Sequence, residues 1–205
     1  MKKWIIAVIG LVCFAPVCFA DNWGVGLRVG AAQNDPKVLK DAKEEGDTLS
    51  KRPYMFGIEG LFEQNLTDNG DMLGIKFGME WYGNNKLSWE DGKLTEHTYA
   101  LPLTVYYKKD NGVKNVSWFA GAGATFVRSE LKDEETGWPT DKWSKSKVFP
   151  HIAVGAEYRF SQVFALGLDV KYNIDAKVKK DIYGEKLTIS DRSGFGAALT
   201  GRFYF

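Results

Sequence analysis

The sequence predicts an all-β protein: a closed, antiparallel, up-and-down transmembrane β-barrel of about eight strands with a polar, packed lumen. Three observations carry that expectation. Apolar and small or charged residues alternate with period two through eight segments, the connections between those segments alternate long and short, and a cleavable leader precedes them all.

The leader comes first. Lys2 and Lys3 form a basic start, Trp4 to Val12 is almost without polar side chains, and Cys18-Phe19-Ala20 gives way to Asp21-Asn22. This is the layout of a secretory signal peptide, with cleavage expected after Ala20 and residues 21–205 forming the barrel. Lipidation of Cys18 competes, but Ala15-Pro16-Val17 before it is a poor approach for that processing. Both cysteines, Cys13 and Cys18, lie in the leader, so disulfides and thiolate metal sites are not expected in the remainder. No metal or other cofactor is expected. With 27 basic and 26 acidic residues spread along the chain, the net charge is +1, so no nucleic-acid surface is implied. After residue 20 no apolar run approaches the ~20 residues of a transmembrane helix, and a membrane would have to be crossed by strands.

In the first strand, Trp23, Val25, Leu27, Val29 and Ala31 alternate with Gly24, Gly26, Arg28 and Gly30. In the second, Tyr54, Phe56, Ile58 and Phe62 oppose Met55, Gly57, Glu59 and Leu61. The third sets Leu73, Ile75, Phe77, Met79 and Trp81 against Gly74, Lys76, Gly78 and Glu80. The fourth sets Tyr99, Leu101, Leu103, Val105 and Tyr107 against Thr98, Ala100, Pro102, Thr104 and Tyr106. A fifth, less greasy run sets Trp118, Ala120, Ala122, Ala124 and Phe126 against Gly121, Gly123 and Thr125. The sixth pairs Ile152 to Phe160 with Ala153, Gly155, Glu157 and Arg159, and the seventh pairs Phe164 to Ile174 with Ala165, Gly167, Asp169, Lys171 and Asn173. In the eighth, Phe195, Ala197, Leu199, Gly201, Phe203 and Phe205 oppose Gly194, Gly196, Ala198, Thr200, Arg202 and Tyr204. These runs span roughly 9 to 13 residues, beyond the 5 to 6 usual in soluble sheets and enough to cross a bilayer when tilted.

Four long polar connections, near 32–52, 83–96, 129–147 and 176–192, are expected to be extracellular loops. Shorter joints fall at Gln64 to Met72, Lys108 to Asn115 and Ser161-Gln162. Asp68-Asn69-Gly70 and Asp110-Asn111-Gly112 supply turn chemistry. In the first loop, Asp35-Pro36-Lys37, Val38 to Glu45 and then Gly46 predict a short surface helix.

Which face meets lipid follows from size and charge. A lumen of about eight strands is only wide enough for side chains to fill it, so the glycine-rich face belongs inside. The same face carries Arg28, Lys76, Arg159, Lys171 and Arg202 against Glu59, Glu80, Glu157 and Asp169. Such charges are costly against lipid but can pair in a polar lumen. A soluble lipocalin-like barrel would have to turn the aromatic set inward. Trp and Tyr near strand ends fit interfacial girdles, although strand propensity alone explains part of that.

The terminal Phe205, with Phe203, Leu199, Ala197 and Phe195 at alternate positions before it, resembles the C-terminal strand that barrel-assembly machinery recognises. With the leader and the alternating strands, the chain is similar to the eight-stranded outer-membrane barrel superfamily typified by OmpX, the OmpA transmembrane domain and the opacity proteins. That resemblance implies a monomer in the bacterial outer membrane, in contact with its lipids and lipopolysaccharide. No peptidoglycan-binding domain follows strand eight in the sequence, so no tether to the cell wall is expected.

Some barrels of this kind process lipid A acyl chains with a His and a Ser, but no serine lies two residues from His97 or His151, and no catalysis is expected. Gly24-x-Gly26-x-x-x-Gly30 matches no nucleotide loop. Asn65-Leu66-Thr67 and Asn115-Val116-Ser117 read as chance sequons. Function is expected in the loops, where Trp89, Trp138 and Trp143 are candidate contacts to a host or surface ligand. The expected role is structural or adhesive. A lipid A-modifying enzyme and a narrow small-solute channel are the alternatives.

Overall fold

A computed structural model describes residues 22–67, 70–110, 115–182 and 184–205. The leader, its cleavage site, Asp68, Asn69, Asn111 and Gly112 lie outside the described residues.

Twelve strands and one short helix are present: β1 (Asn22–Ala32), α1 (Lys37–Asp41), β2 (Thr48–Ser50), β3 (Tyr54–Asn65), β4 (Met72–Tyr82), β5 (Asn85–Trp89), β6 (Gly92–Asp110), β7 (Val116–Glu135), β8 (Asp141–Arg159), β9 (Phe164–Asn173), β10 (Lys177–Ile182), β11 (Glu185–Asp191) and β12 (Gly194–Tyr204). Eight of them close a ring in the order β1, β3, β4, β6, β7, β8, β9, β12 and back to β1. Neighbours in the ring are antiparallel, and closure comes from Gly24 to Ala32 pairing with Tyr204 to Gly196. A closed sheet has no unpaired edge within the bilayer, where an unsatisfied peptide group would cost several kcal/mol.

Burial alternates along most of the ring, as in β12, where every second residue from Gly194 to Tyr204 is buried and those between are exposed apart from the half-buried Gly201. Within the belt the buried set is mainly charged, polar, small or aromatic and holds the lumen charges, while the exposed set is apolar, the inverse of a soluble barrel. Leu27 and Val29 are 58% and 60% exposed, while Arg28 between them is 5% exposed. Aromatic pairs mark both rims of the apolar belt. At the end holding Asn22 and Phe205, Trp23 stacks on Phe205 at 4.4 Å and Phe164 lies 5.2 Å from Phe203. At the opposite, loop end, Phe56 pairs with Trp81 and Tyr172 with Phe195.

Three of the expected loops are largely strand. β6, β7 and β8 run 19, 20 and 19 residues, about twice the 9–11 that cross a bilayer. Their outer halves form a ribbon beyond the apolar belt, widened by β5 and β2. Hydrophobic periodicity is weak there because both ribbon faces are largely polar, and cross-strand ion pairs such as Lys93 to Glu134 at 3.1 Å take its place. The segment 176–192 folds into the β10–β11 hairpin, turning at Gly184 with φ +84°. The helix covers only Lys37–Asp41. Burial of Val38 and Leu39 holds it, and beyond it the Asp47 carboxylate accepts from the Glu44 N–H at 2.9 Å in place of a further helical turn.

Candidate functional site: a charged lumen under an apolar cap

The ring turns one side chain in two toward its axis, so the interior is built in storeys. Nearest the end that holds Asn22 and Phe205, Lys108 donates to Glu63 at 3.0 Å and Glu157 at 2.8 Å. Tyr106 donates to Glu63 at 2.8 Å and Tyr204 to Glu157 at 2.7 Å. Arg159 lies at the rim with its side chain 28% exposed, 3.7 Å from Glu157, its guanidinium 4.2 Å from the Tyr204 ring centre.

The middle storey radiates from Arg202. Its Nε donates to Glu59 at 2.7 Å, Nη1 to Glu157 at 3.0 Å and Nη2 to Asp169 at 2.8 Å. Lys76 also donates to Asp169, at 2.6 Å, and its ammonium lies 4.3 Å from the Phe119 ring centre. Arg28 approaches Glu80 at 3.2 Å and Glu59 at 3.6 Å, and Lys171 donates to Glu80 at 2.7 Å. Glycine creates the room for these groups: a Cβ on Gly155 would stand 2.5 Å from a Phe119 ring carbon.

Toward the loop end, Tyr82 donates to Glu80 at 2.7 Å. His151 sits between the hydroxyls of Thr104 and Thr125, each at 2.9 Å, so both ring nitrogens are engaged. His97 points from the opposite face of the wall and stands across from Glu130 in the β6–β7 ladder. The uppermost polar node is Glu96, which accepts from Asn85 at 2.7 Å, Thr98 at 3.0 Å and Arg192 at 3.3 Å. Arg192 also lies 4.6 Å from the Tyr82 ring centre.

Above this node an apolar cap closes the mouth. Val38 and Leu39 of α1, Leu87 of β5 and Val178, Ile182 and Ile189 of the β10–β11 hairpin join Met55, Leu94, Leu131 and Phe149 of the wall in one buried cluster. Trp89 and Trp143 pack against it, whereas Trp138 at the ribbon tip is 72% exposed.

Of the nine charged residues singled out in the sequence, Arg28, Glu59, Lys76, Glu80, Glu157, Asp169, Lys171 and Arg202 come together in the buried lumen, with Arg159 at its edge. Sequence reasoning missed Glu63 and Lys108. Each has the inward parity of its strand, one step past the point where the alternation was read to end. It also missed Phe119 as a lumen ring, whereas Tyr106 stands on the inner face where the alternation put it. Glu96 and Arg192 meet only through the hairpin, and no local signal marks them. With both added residues counted, Arg28, Lys76, Lys108, Lys171 and Arg202 face Glu59, Glu63, Glu80, Glu157 and Asp169, so the buried charge balances. Phe203 and Phe205 face outward on the closing strand. Among the described residues, no group of His, Asp or Glu is arranged to hold a metal ion.

Residues 5–203 match the family model described as the outer membrane protein beta-barrel domain. The chain belongs to that family. No curated protein sequence matches this outer-membrane barrel. Solved structures of similar fold include OprG from Pseudomonas aeruginosa, 10% identical over 91% of this chain and 97% of that one, with a TM-score of 0.53. Ail from Yersinia pestis is 14% identical over 90% and 98%, with a TM-score of 0.52. A major outer membrane protein from Thermus thermophilus is 12% identical over 89% and 99%, with a TM-score of 0.51.

Proposed function

We propose that this outer-membrane barrel is a surface-displayed, non-conducting interaction protein whose folded loop end contacts the surroundings of the cell without turnover. The observation that carries the reading is the filled lumen. Arg202 and its three carboxylates occupy the axis, a cavity of only 10 Å³ remains beside them, about the space of one water, and the apolar cap lies across the mouth. Both features count against passage of a solute, and the proposed function therefore moves to the loop end. The ribbon tip with Trp138 and the β10–β11 hairpin are its contact surfaces. Ail, similar in fold, was crystallised with the heparin analogue sucrose octasulfate, which supports an interaction role.

In this reading residues 1–20 export the chain, Phe203 and Phe205 present β12 to the assembly machinery, and the monomer stands with its termini in the periplasm. The buried ion-pair network is structural. Two measurements test the proposal. Protease added to intact cells should cut at the ribbon tip near residues 136–140, and purified protein in planar bilayers should give no conductance steps. Discrete steps, or full protection of the tip in intact cells, would sink it.

A further inference from the structure

At the end that holds Asn22 and Phe205 the lumen opens into a cleft of 210 Å³, whose lining includes Met72, Lys108, Asp110, Asn115, Ser117 and Arg159. The lysine is committed inward. Its ammonium donates to Glu63, Glu157 and the Tyr204 hydroxyl. Those two carboxylates are supplied in turn, Glu63 by Lys108 and Tyr106, and Glu157 by Lys108, Arg202 and Tyr204. Arg159 is therefore a surplus cation. It stands 3.7 Å from Glu157 and 4.0 Å from Glu63, too far for a hydrogen bond, and its buried Nη2 has no hydrogen-bond partner among the described residues. Arg28, Lys76, Lys108, Lys171 and Arg202 already balance the five lumen carboxylates, so Arg159 adds a charge that the lumen does not neutralise. The Tyr204 ring, with its centre 4.2 Å from the guanidinium, holds it in place. Asp110, the acid at the outer edge of the cleft, is exposed and has an interaction of its own.

The unused donors of a guanidinium suit a carboxylate, whose two oxygens match its planar fork. Charge narrows the choice further. Glu63 and Glu157 lie behind Arg159 and Asp110 lies at the edge, so one negative charge is accommodated where a dianionic phosphate is repelled. Met72 and Val116 supply an apolar wall, and Asn115 and Ser117 supply further hydrogen-bonding groups. Lys108, Ser117 and Arg159 have the inward parity of their strands, whereas Trp118 is 42% exposed on the lipid face. The cleft thus opens along the barrel axis into water, not sideways into lipid. We infer that this mouth binds the C-terminal carboxylate of a peptide chain with an apolar last residue, the carboxylate on Arg159 and the side chain against Met72 and Val116. In the proposed orientation that peptide comes from the periplasm.

The test uses the folded full chain in detergent micelles, titrated with N-acetyl-Gly-Gly-Leu, its C-terminal amide, acetate and inorganic phosphate, and followed by NMR chemical shifts. The acid peptide should bind, with shifts at Asn115, Ser117 and the Arg159 side chain and none at Trp138. Its amide should bind about tenfold more weakly or less, the loss expected for one charge-assisted hydrogen-bonded contact. Acetate, which leaves the apolar wall uncovered, should also bind about tenfold more weakly, which separates a peptide end from any small carboxylate. Arg159→Gln should weaken the acid peptide to the level of its amide. Because Arg159 makes no hydrogen bond to the lumen carboxylates, that variant should fold, and heat-modifiable migration on gels reports it. If it does not fold, the acid and amide titrations of the unaltered chain decide alone. Equal binding of acid and amide, undiminished binding by Arg159→Gln, acetate as tight as the peptide, or phosphate tighter than the peptide would each overturn the inference. These titrations do not depend on how the barrel stands in the membrane, so their failure leaves the loop-end reading intact, and protease protection of the tip in intact cells leaves the carboxylate site intact.

Discussion

Arg202 shows how a single side chain can organise this lumen. Its guanidinium satisfies three carboxylates from β3, β8 and β9, and a planar fork with donors in fixed directions suits that task better than an ammonium does. Arg202→Met strands Glu59, Asp169 and Glu157 without their shared cation, and the cost of removing one partner from a buried network is about 3–5 kcal/mol. Urea unfolding from liposomes should register it as a lowered midpoint. An unchanged midpoint would mean that the network contributes nothing net. Asp175 gives a smaller signal at the surface. Its folded pKa is depressed by Lys147, so its contribution to stability is complete above the unfolded value and is lost as pH falls through the lower folded one. Protection of the amides of residues 174–178, taken relative to their intrinsic exchange rates, should therefore fall only below about pH 4, and Asp175→Asn should abolish that step.

At the scale of elements, the hairpin and helix are held to the barrel by apolar contacts rather than by the ring's own ladder. Ile189 of β11 is fully buried in the cap. Ile189→Ala should cost about 2–5 kcal/mol in the cap, within the usual range for buried large-to-small changes. The ring should survive it, because closure depends on the β1–β12 ladder. The expected readout is faster proteolysis of the hairpin with unchanged heat-modifiable migration of the barrel. Global unfolding of the variant would show instead that the cap and ring form one cooperative unit. The ribbon of β6, β7 and β8 has the opposite character. Its backbone pairing extends to Asp133 and Asp141 with little apolar burial at its tip, so exchange there should be the fastest among the ring strands.

For the whole molecule the decisive fact is inversion, with charges inside and hydrocarbon-facing side chains outside. Leu27 stands near the middle of β1 and is 58% exposed. Leu27→Lys should destabilise the inserted barrel by about 2–4 kcal/mol, the depth-dependent cost of a lysine at the bilayer midplane. Folding titrations into lipid vesicles would measure it, and a negligible change would contradict the assignment of that face to lipid. Leu27→Phe on the same face should be nearly neutral, since it stays apolar and meets fluid lipid.

Much of this was legible in the residue order alone. Period-two alternation distinguishes the two faces of each membrane-crossing strand because one face meets hydrocarbon and the other a narrow interior, and side-chain size then says which is which. The strand count, the inward placement of Arg28, Lys76 and Arg202, and the outward placement of Phe203 and Phe205 are local properties of that kind. Tertiary structure alone decided that the segments 83–96, 129–147 and 176–192 continue as strands. Outside the bilayer, water satisfies both faces, and the hydrophobic contrast that reveals a strand fades. It also decided that Arg192 meets Glu96, that Val38, Leu87 and Ile189 share one cap, and that five lysines from β8 and the hairpin gather around one cleft. Those contacts join residues far apart in the chain through the closure of the ring, and no local period records them.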